Sequence, residues 1–264
     1  MTLKIVVLSD LHLLADGKLS HGLDTTERLR AGVAAINARH GDADFVAIAG
    51  DLADLGEQAA YETLQDVLSG LSMPIQITIG NHDNRETFLK VFGQGQASDT
   101  GFVDKVIDAK GHRVILLDSA IDFGRHDGRL EQVQLDWLAE RLDEATGRPV
   151  IVILHHHANP LFTAVDEIIL ENGPAFAEVL SGHGDVRQVI AGHVHYPSTA
   201  IWRGIPFTTL SGGHYSVTIP LSRPWTQPEI LSGPAQMAVV LTDPEQTLVH
   251  FDNYLDDTRV IARG

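Results

Sequence analysis

Short apolar runs recur along the chain at residues 5–8, 45–49, 75–79, 114–117, 150–154 and 189–191, and again at 207–210, 237–241 and 248–251. They are rich in Val and Ile and too short for helices, so they predict strands. The early runs are continuous rather than alternating, as expected of strands covered on both faces. Helical patterns lie between them. Residues 24–40 open on a capping pair, Asp24 and Glu27, and then place Leu29, Val33 and Ile36 on one face. Residues 57–68 carry Tyr61, Leu64 and Leu68 at helical spacing, and 131–142 carry Leu135, Leu138 and Leu142. A shorter helix is predicted at 174–180, with Pro174 in its first turn.

Strands alternating with helices predict an α/β layered fold. From about residue 192 onward the pattern gives consecutive strands and no clear helix, which predicts a second sheet packed on the first. One domain is expected over residues 1–264. Two segments read as insertions. Residues 93–111 are Gly-rich and polar before an apolar patch at 102–107. Residues 214–236 hold Pro220, Pro224, Pro228 and Pro234 with Trp225, which forbids a long helix or a central strand and predicts an extended cap or a contact between copies of the chain.

Composition narrows the function. The 264 residues are 44% hydrophobic and 20% charged, ordinary for a globular protein with a large core. A formal charge of −16 argues against nucleic-acid polymers and anionic membranes as partners. An acidic chain that binds a phosphate ester needs a local source of positive charge, which bound metal supplies. There is no Cys, which excludes disulfides and zinc–thiolate sites and fits a reducing compartment. The first apolar run is too short for a signal sequence and no run reaches transmembrane length, so a cytoplasmic location is expected.

Fourteen histidines are many for this length, and several follow the apolar runs together with aspartates. Asp10 and His12 stand two apart after the first run, where extended backbone would project both to one side. Gly50-Asp51 ends the second run, and its carboxylate could bridge two ions. Gly80-Asn81-His82-Asp83 ends the third, offering an amide oxygen from Asn81 and an imidazole at His82 that Asp83 could orient. His155-His156-His157 follows the run at 150–154, and one of the three is expected to be a ligand. Gly192-His193-Val194-His195 follows the sixth run, its two histidines again expected to share a side, and His214 follows the seventh. Each motif alone has a bland alternative: an Asx turn, a helix cap, a loop tip. Together they place oxygen and imidazole donors at successive strand ends, where an open α/β sheet carries its chemistry. Such donors suit Fe, Mn, Co or Zn better than Ca or Mg, and two such ions point to hydrolysis at phosphorus. His21, His40, His112, His126, His183 and His250 lack such a setting and read as structural or solvent-facing.

These blocks, D-x-H, G-D, G-N-H-D, a later His and G-H-x-H, resemble the calcineurin-like metallophosphoesterase superfamily, in order over residues 10–195. The segments AGDL, IGNHDN, GRLEQVQLDWL, VDEIILENG and AGHVH are most similar to its bacterial glycerophosphodiesterases and class III cyclic-nucleotide phosphodiesterases. The resemblance implies a four-layer α/β/β/α sandwich of two mixed sheets and a homo-oligomer. It implies one ion on Asp10, His12 and His195, a second on Asn81, His155 and His193, and Asp51 bridging, with His156 the alternative to His155. It also implies a role for His82 beside the scissile phosphate and, more loosely, substrate contacts for His214; Asn84 and Arg85 are further candidates for lining the pocket. The branch's HHPP is replaced here by His155-His156-His157-Ala158-Asn159-Pro160.

The expected function is hydrolysis of small phosphodiesters, either glycerophosphodiesters or 3′,5′-cyclic nucleotides, by in-line attack of a hydroxide held between the ions. Two divalent ions, two aspartates and one hydroxide leave about +1 with neutral imidazoles, which mildly favours a diester monoanion. A phosphomonoesterase or nucleotide pyrophosphatase is the alternative enzyme, and a metal-free binding scaffold is the alternative of another class.

Overall fold

The computed structural model describes residues 1–221 and 227–256. Five strands form one sheet in the order β13-β12-β1-β2-β3: β1 (Leu3–Leu8), β2 (Phe45–Ala49), β3 (Ile75–Thr78), β12 (Ala235–Thr242) and β13 (Thr247–Leu255). Six strands form a second, in the order β4-β5-β6-β7-β9-β8: β4 (Lys105–Ala109), β5 (His112–Leu117), β6 (Val150–Leu154), β7 (Val186–Ala191), β8 (Ser198–Trp202) and β9 (Ile205–Thr209). Pairing is parallel at the centre of each sheet and antiparallel at β12, β13, β4 and β8. Both sheets are therefore mixed.

The continuous apolar runs have the expected cause. Alternate residues of β1 divide between two cores: Leu3, Ile5 and Val7 face Val114, Leu116, Ile151 and Ile153 of the other sheet. Val6 and Leu8 instead meet Leu29, Val33 and Ile36 of helix α1 (Thr25–Arg39) and Tyr61 and Leu64 of α2 (Gln58–Leu68). The far face of the second sheet packs Ile115, Val152 and Leu154 on Leu135, Leu138 and Leu142 of α4 (Gln132–Asp143) and on Phe176 and Leu180 of α5 (Gly173–Ser181). Each such buried aliphatic side chain contributes about 1.5–3 kcal/mol. The result is the α/β/β/α sandwich. Asp24 caps α1 by accepting from Glu27 N–H, and at α4 the Gln134 side chain reaches back to accept from Glu131 N–H.

Several details differ from the sequence reading or add to it. The strands after residue 192 do not build a sheet of their own: β8 and β9 join the second sheet while β12 and β13 return to the first, because β1 has an edge that β2 leaves unpaired. The segment 93–111 is not a plain insertion, since it supplies edge strand β4. Helix α3 (Arg85–Phe92) and strand β8 were not predicted. Within 214–236, β10 (Ser216–Val217) pairs with β11 (Ile230–Leu231), while Pro224 and Trp225 lie outside the described residues. No helix among the described residues is long and apolar enough to cross a membrane.

Candidate metal centre

The C-terminal ends of β1, β2 and β3 meet those of β6 and β7 at one end of the two sheets. Crossing from strand to loop there requires unusual backbone. Asp10, His12, Asp51, His193 and His195 all have left-handed φ, between 46° and 73°. For histidine this costs on the order of 1 kcal/mol per residue, a strain that recurs at functional sites. Main-chain bonds hold the turns: Leu11 N–H and His12 N–H both donate to Asp51 O, at 2.8 and 2.9 Å. Gly80 and Gly192 allow close approach. A Cβ on Gly80 would stand 2.3 Å from Asp51 Oδ1, and one on Gly192 would stand 1.8 Å from Ser9 Oγ.

Two buried donor groups result. Asp10, His12 and His195 place their ligand-type atoms within 4.8 Å of one another, and so do His155, His156 and His193. His12 Nε2 is 3.2 Å from His195 Nε2, and His155 Nε2 is 3.1 Å from Asn81 Oδ1. Asp51 joins the groups, its Oδ2 lying 3.5 Å from His12 Nε2 and 3.2 Å from His155 Nε2. Asp10 and His12 do converge, although through left-handed turns rather than the extended backbone the spacing suggested. His193 and His195 do not share a side: each joins a different group.

Buried donors of this kind fit metal ions. Asp10 Oδ2 is buried with no hydrogen-bond partner among the described residues. Each imidazole is anchored through one nitrogen and offers the other: His12 Nδ1 to the Asp54 carboxylate (3.0 Å), His155 Nδ1 to Ala49 O (2.8 Å), His193 Nε2 to Ile168 O (3.0 Å), His195 Nδ1 to Tyr215 O (2.9 Å). Anchoring of this sort fixes the tautomer of metal-binding histidines. The electrostatics call for positive charge. Burial alone would lower His155, yet the Asp51 and Asp10 carboxylates outweigh it and raise it to about 9. Burial likewise opposes the charge on Asp51, but His155 and His12 hold it well below the usual carboxylate range. His156 and His193, desolvated and crowded by other imidazoles, are pushed well down and stay neutral, the form that binds a cation.

Other expected residues are placed differently. Asp83 does not orient His82. Its carboxylate accepts from the N–H groups of Leu52, Ala53 and Gly80 and from Tyr61 Oη, tying the β2 and β3 loops together. Burial and the Asp51 charge push it up to about 6. His82 is oriented by Asp54, whose main-chain carbonyl accepts from its Nδ1 at 2.9 Å. The Asn84 carboxamide oxygen caps α3, accepting from Thr87 N–H, and Asn84 lines a cleft with Asp83, Arg85, Ile121 and Phe123. Arg85, in the same cleft, is forked onto buried Asp118 at 2.7 and 3.1 Å. His214 is fully buried behind His12, 5.4 Å between ring centres, and burial and His12 lower it to about 3. Of the triple-histidine run, His155 alone touches Asp51 and Asn81, while His156 Nδ1 is bound to Ser119 Oγ at 2.8 Å and His157 lies 3.6 Å from Asp166.

Sequence reasoning missed Asp54, Tyr215, His21 and His126. Tyr215 stacks on His195 at 4.1 Å, and His21 meets its edge at 5.2 Å. His126 Nδ1 lies 3.4 Å from Asn81 Nδ2. The available signals were slight: an acid three positions after Gly-Asp, an aromatic beside His214, and a histidine in a turn between glycines.

Residues 3–197 match the family model of the calcineurin-like phosphoesterases. The chain belongs to that family. This calcineurin-like phosphoesterase is 38% identical over 224 residues to a protein of Rhodopseudomonas palustris named "probable cyclic nucleotide phosphodiesterase", covering 83% of this chain and 81% of the relative. It is 26% identical to the "probable glycerophosphodiester phosphodiesterase" of Arcobacter nitrofigilis, over 95% of this chain and 93% of the relative. The fold is that of a dimetal phosphatase from Danio rerio, with a TM-score of 0.69 at 16% identity over 94% of this chain and 98% of that one. A binuclear-type site on this fold makes the family member a metal-dependent hydrolase by class.

Proposed function

We infer that this protein is a phosphodiesterase using two transition-metal ions on small phosphodiesters, with 3′,5′-cyclic nucleotides favoured over glycerophosphodiesters. The placement of Asp51 carries the reading: one carboxylate oxygen reaches toward both donor groups. Asp10, His12 and His195 would hold one ion, Asn81, His155 and His193 the other, and Asp51 both. Fe, Mn, Co and Zn suit these donors. Bound there, the ions would supply an activated solvent nucleophile and neutralise charge on the phosphoryl oxygens.

The chain's own groups do the rest. His82 keeps 32% of its side chain exposed, and with Nδ1 donating to Asp54 O its neutral ring has Nε2 left as an acceptor. Protonated, that nitrogen could give its proton to a leaving alkoxide. Asp54 and Asp83 fix the turns that carry these groups. The preference for cyclic nucleotides rests on the Rhodopseudomonas relative. The single-domain organisation, with the proline-rich segment as a cap or contact between copies, belongs to the same proposal.

The test is a substrate panel on protein reconstituted with Mn or Zn: cAMP, glycerophosphocholine, bis(p-nitrophenyl) phosphate and p-nitrophenyl phosphate. Diester turnover exceeding monoester turnover, abolished by chelation, is expected. Faster monoester turnover would sink the diesterase reading, and glycerophosphocholine ahead of cAMP would reverse the order of substrates.

A further inference from the structure

Few side chains can meet a substrate here. Asp10 and His155 are fully buried, whereas His82 is partly open and His126, in the loop between β5 and α4, is exposed. The His126 and His82 ring centres are 6.1 Å apart. The loop that carries His126 is firmly seated. Gly128 N–H donates to Ile169 O at 3.2 Å and Gly128 O accepts from Glu171 N–H at 2.8 Å. A Cβ on Gly128 would stand 2.3 Å from the His156 ring, so the chain lies directly against it. Arg125 pairs with Asp127 and with Glu171, fixing the residues on either side of His126.

We propose that His126 is a second substrate-binding imidazole beside His82, donating its Nε2–H to a non-bridging phosphoryl oxygen. The tautomer follows from Asn81. The Asn81 oxygen is directed at His155 Nε2, so the group facing His126 is the amide NH₂, which only donates. His126 Nδ1 must accept, and the ring proton of neutral His126 sits on Nε2. The need for such a donor follows from charge. Among the described residues no hydrogen bond or ion pair joins a Lys or Arg to Asp10, His12, Asp51, Asn81, His155, His193 or His195. Arg85, the nearby cation in sequence, is locked onto Asp118. An anionic diester entering this acidic chain therefore meets imidazoles among its nearest outer donors. Two rings at this spacing can both reach oxygens of one phosphoryl group.

The inference rests on the phosphodiesterase reading, and its test separates the two. Full-length protein reconstituted with Mn is titrated with inorganic phosphate by calorimetry, and its metal content is measured. His126→Ala is expected to keep two ions per chain and to bind phosphate about tenfold more weakly, the loss of one hydrogen bond to a charged oxygen. His126→Gln, whose amide nitrogen replaces Nε2, is expected to recover affinity to within about threefold of wild type. An Ala variant weakened less than about threefold, a Gln variant as weak as Ala, a wild type that binds two ions and no phosphate, or loss of an ion in His126→Ala would each overturn the assignment, the last because His126 would then merely hold Asn81. Phosphate binding that behaves as expected in a protein that hydrolyses no diester would sink the phosphodiesterase reading alone.

Discussion

Asp54 accepts from His12 Nδ1 through its carboxylate at 3.0 Å and from His82 Nδ1 through its main-chain carbonyl at 2.9 Å, the carboxylate standing farther from that nitrogen at 3.5 Å, so the two histidines depend chiefly on different parts of one residue. Asp54→Ala removes the first support and the longer 3.5 Å ion pair to His82, and keeps the main-chain bond that orients His82. Metal affinity is expected to fall about 10–100-fold, as for other partners of metal-binding histidines, with His82 still in place. His82→Ala should do the reverse, keeping both ions while turnover falls about 10²-fold. Chelator competition and kcat measured on both variants decide the matter, and equal metal loss in the two would end this division of roles. At this scale the ligand-type residues were legible because each follows an apolar run directly. Their supporting partners were not. Asp83 sits beside His82 in sequence yet caps three N–H groups elsewhere, since a tight turn sends neighbouring side chains in different directions.

Strand ends set the centre's dimensions, and glycines set how close those ends come. Gly80→Ala would drive a methyl to 2.3 Å from Asp51 Oδ1 and 2.5 Å from Asp51 N, against the residue that joins both donor groups. A loss of about 1–3 kcal/mol in stability is expected, together with weaker retention of both ions. Gly95→Ala, with nothing within 4 Å of the added atom, is the control and should change neither. Thermal melts and metal content report both effects, and retention of two ions at wild-type affinity in Gly80→Ala would show that the loop can yield. The elements that build the centre were readable because their strands are buried on both faces. Those that escaped lie at edges: every residue of β4 is partly or fully exposed, β8 alternates between the two, and α3 buries only Phe88. Short elements with one wet face carry too little apolar pattern to stand out.

Across the whole molecule, one buried charge that affects folding lies away from the metal centre. Asp104 is buried where β4 begins. It accepts from Asp118 N–H, Gln134 Nε2 and Thr100 Oγ1, and it faces the Asp118 carboxylate, itself forked by Arg85. Burial first and the Asp118 charge second raise Asp104 to about 7. In the unfolded chain an Asp titrates near 4, so between about pH 4 and 7 the folded protein holds a proton that the unfolded chain has released. Stability therefore falls as pH rises through that window, by at most about 1.4 kcal/mol per pH unit, and is flat with respect to this group on either side. Asp104→Asn keeps Oδ1 as acceptor for Asp118 and Gln134 and turns an amide toward Thr100, whose hydroxyl can accept. Urea unfolding of both chains at pH 5, 6, 7 and 8 should show the wild type's stability relative to the variant declining steadily up to about pH 7 and then levelling. Contributions from the metal-centre histidines are common to both chains and cancel in the difference. A difference that does not vary with pH would mean that Asp104 is ionised in the fold throughout, with Arg85 compensating both carboxylates.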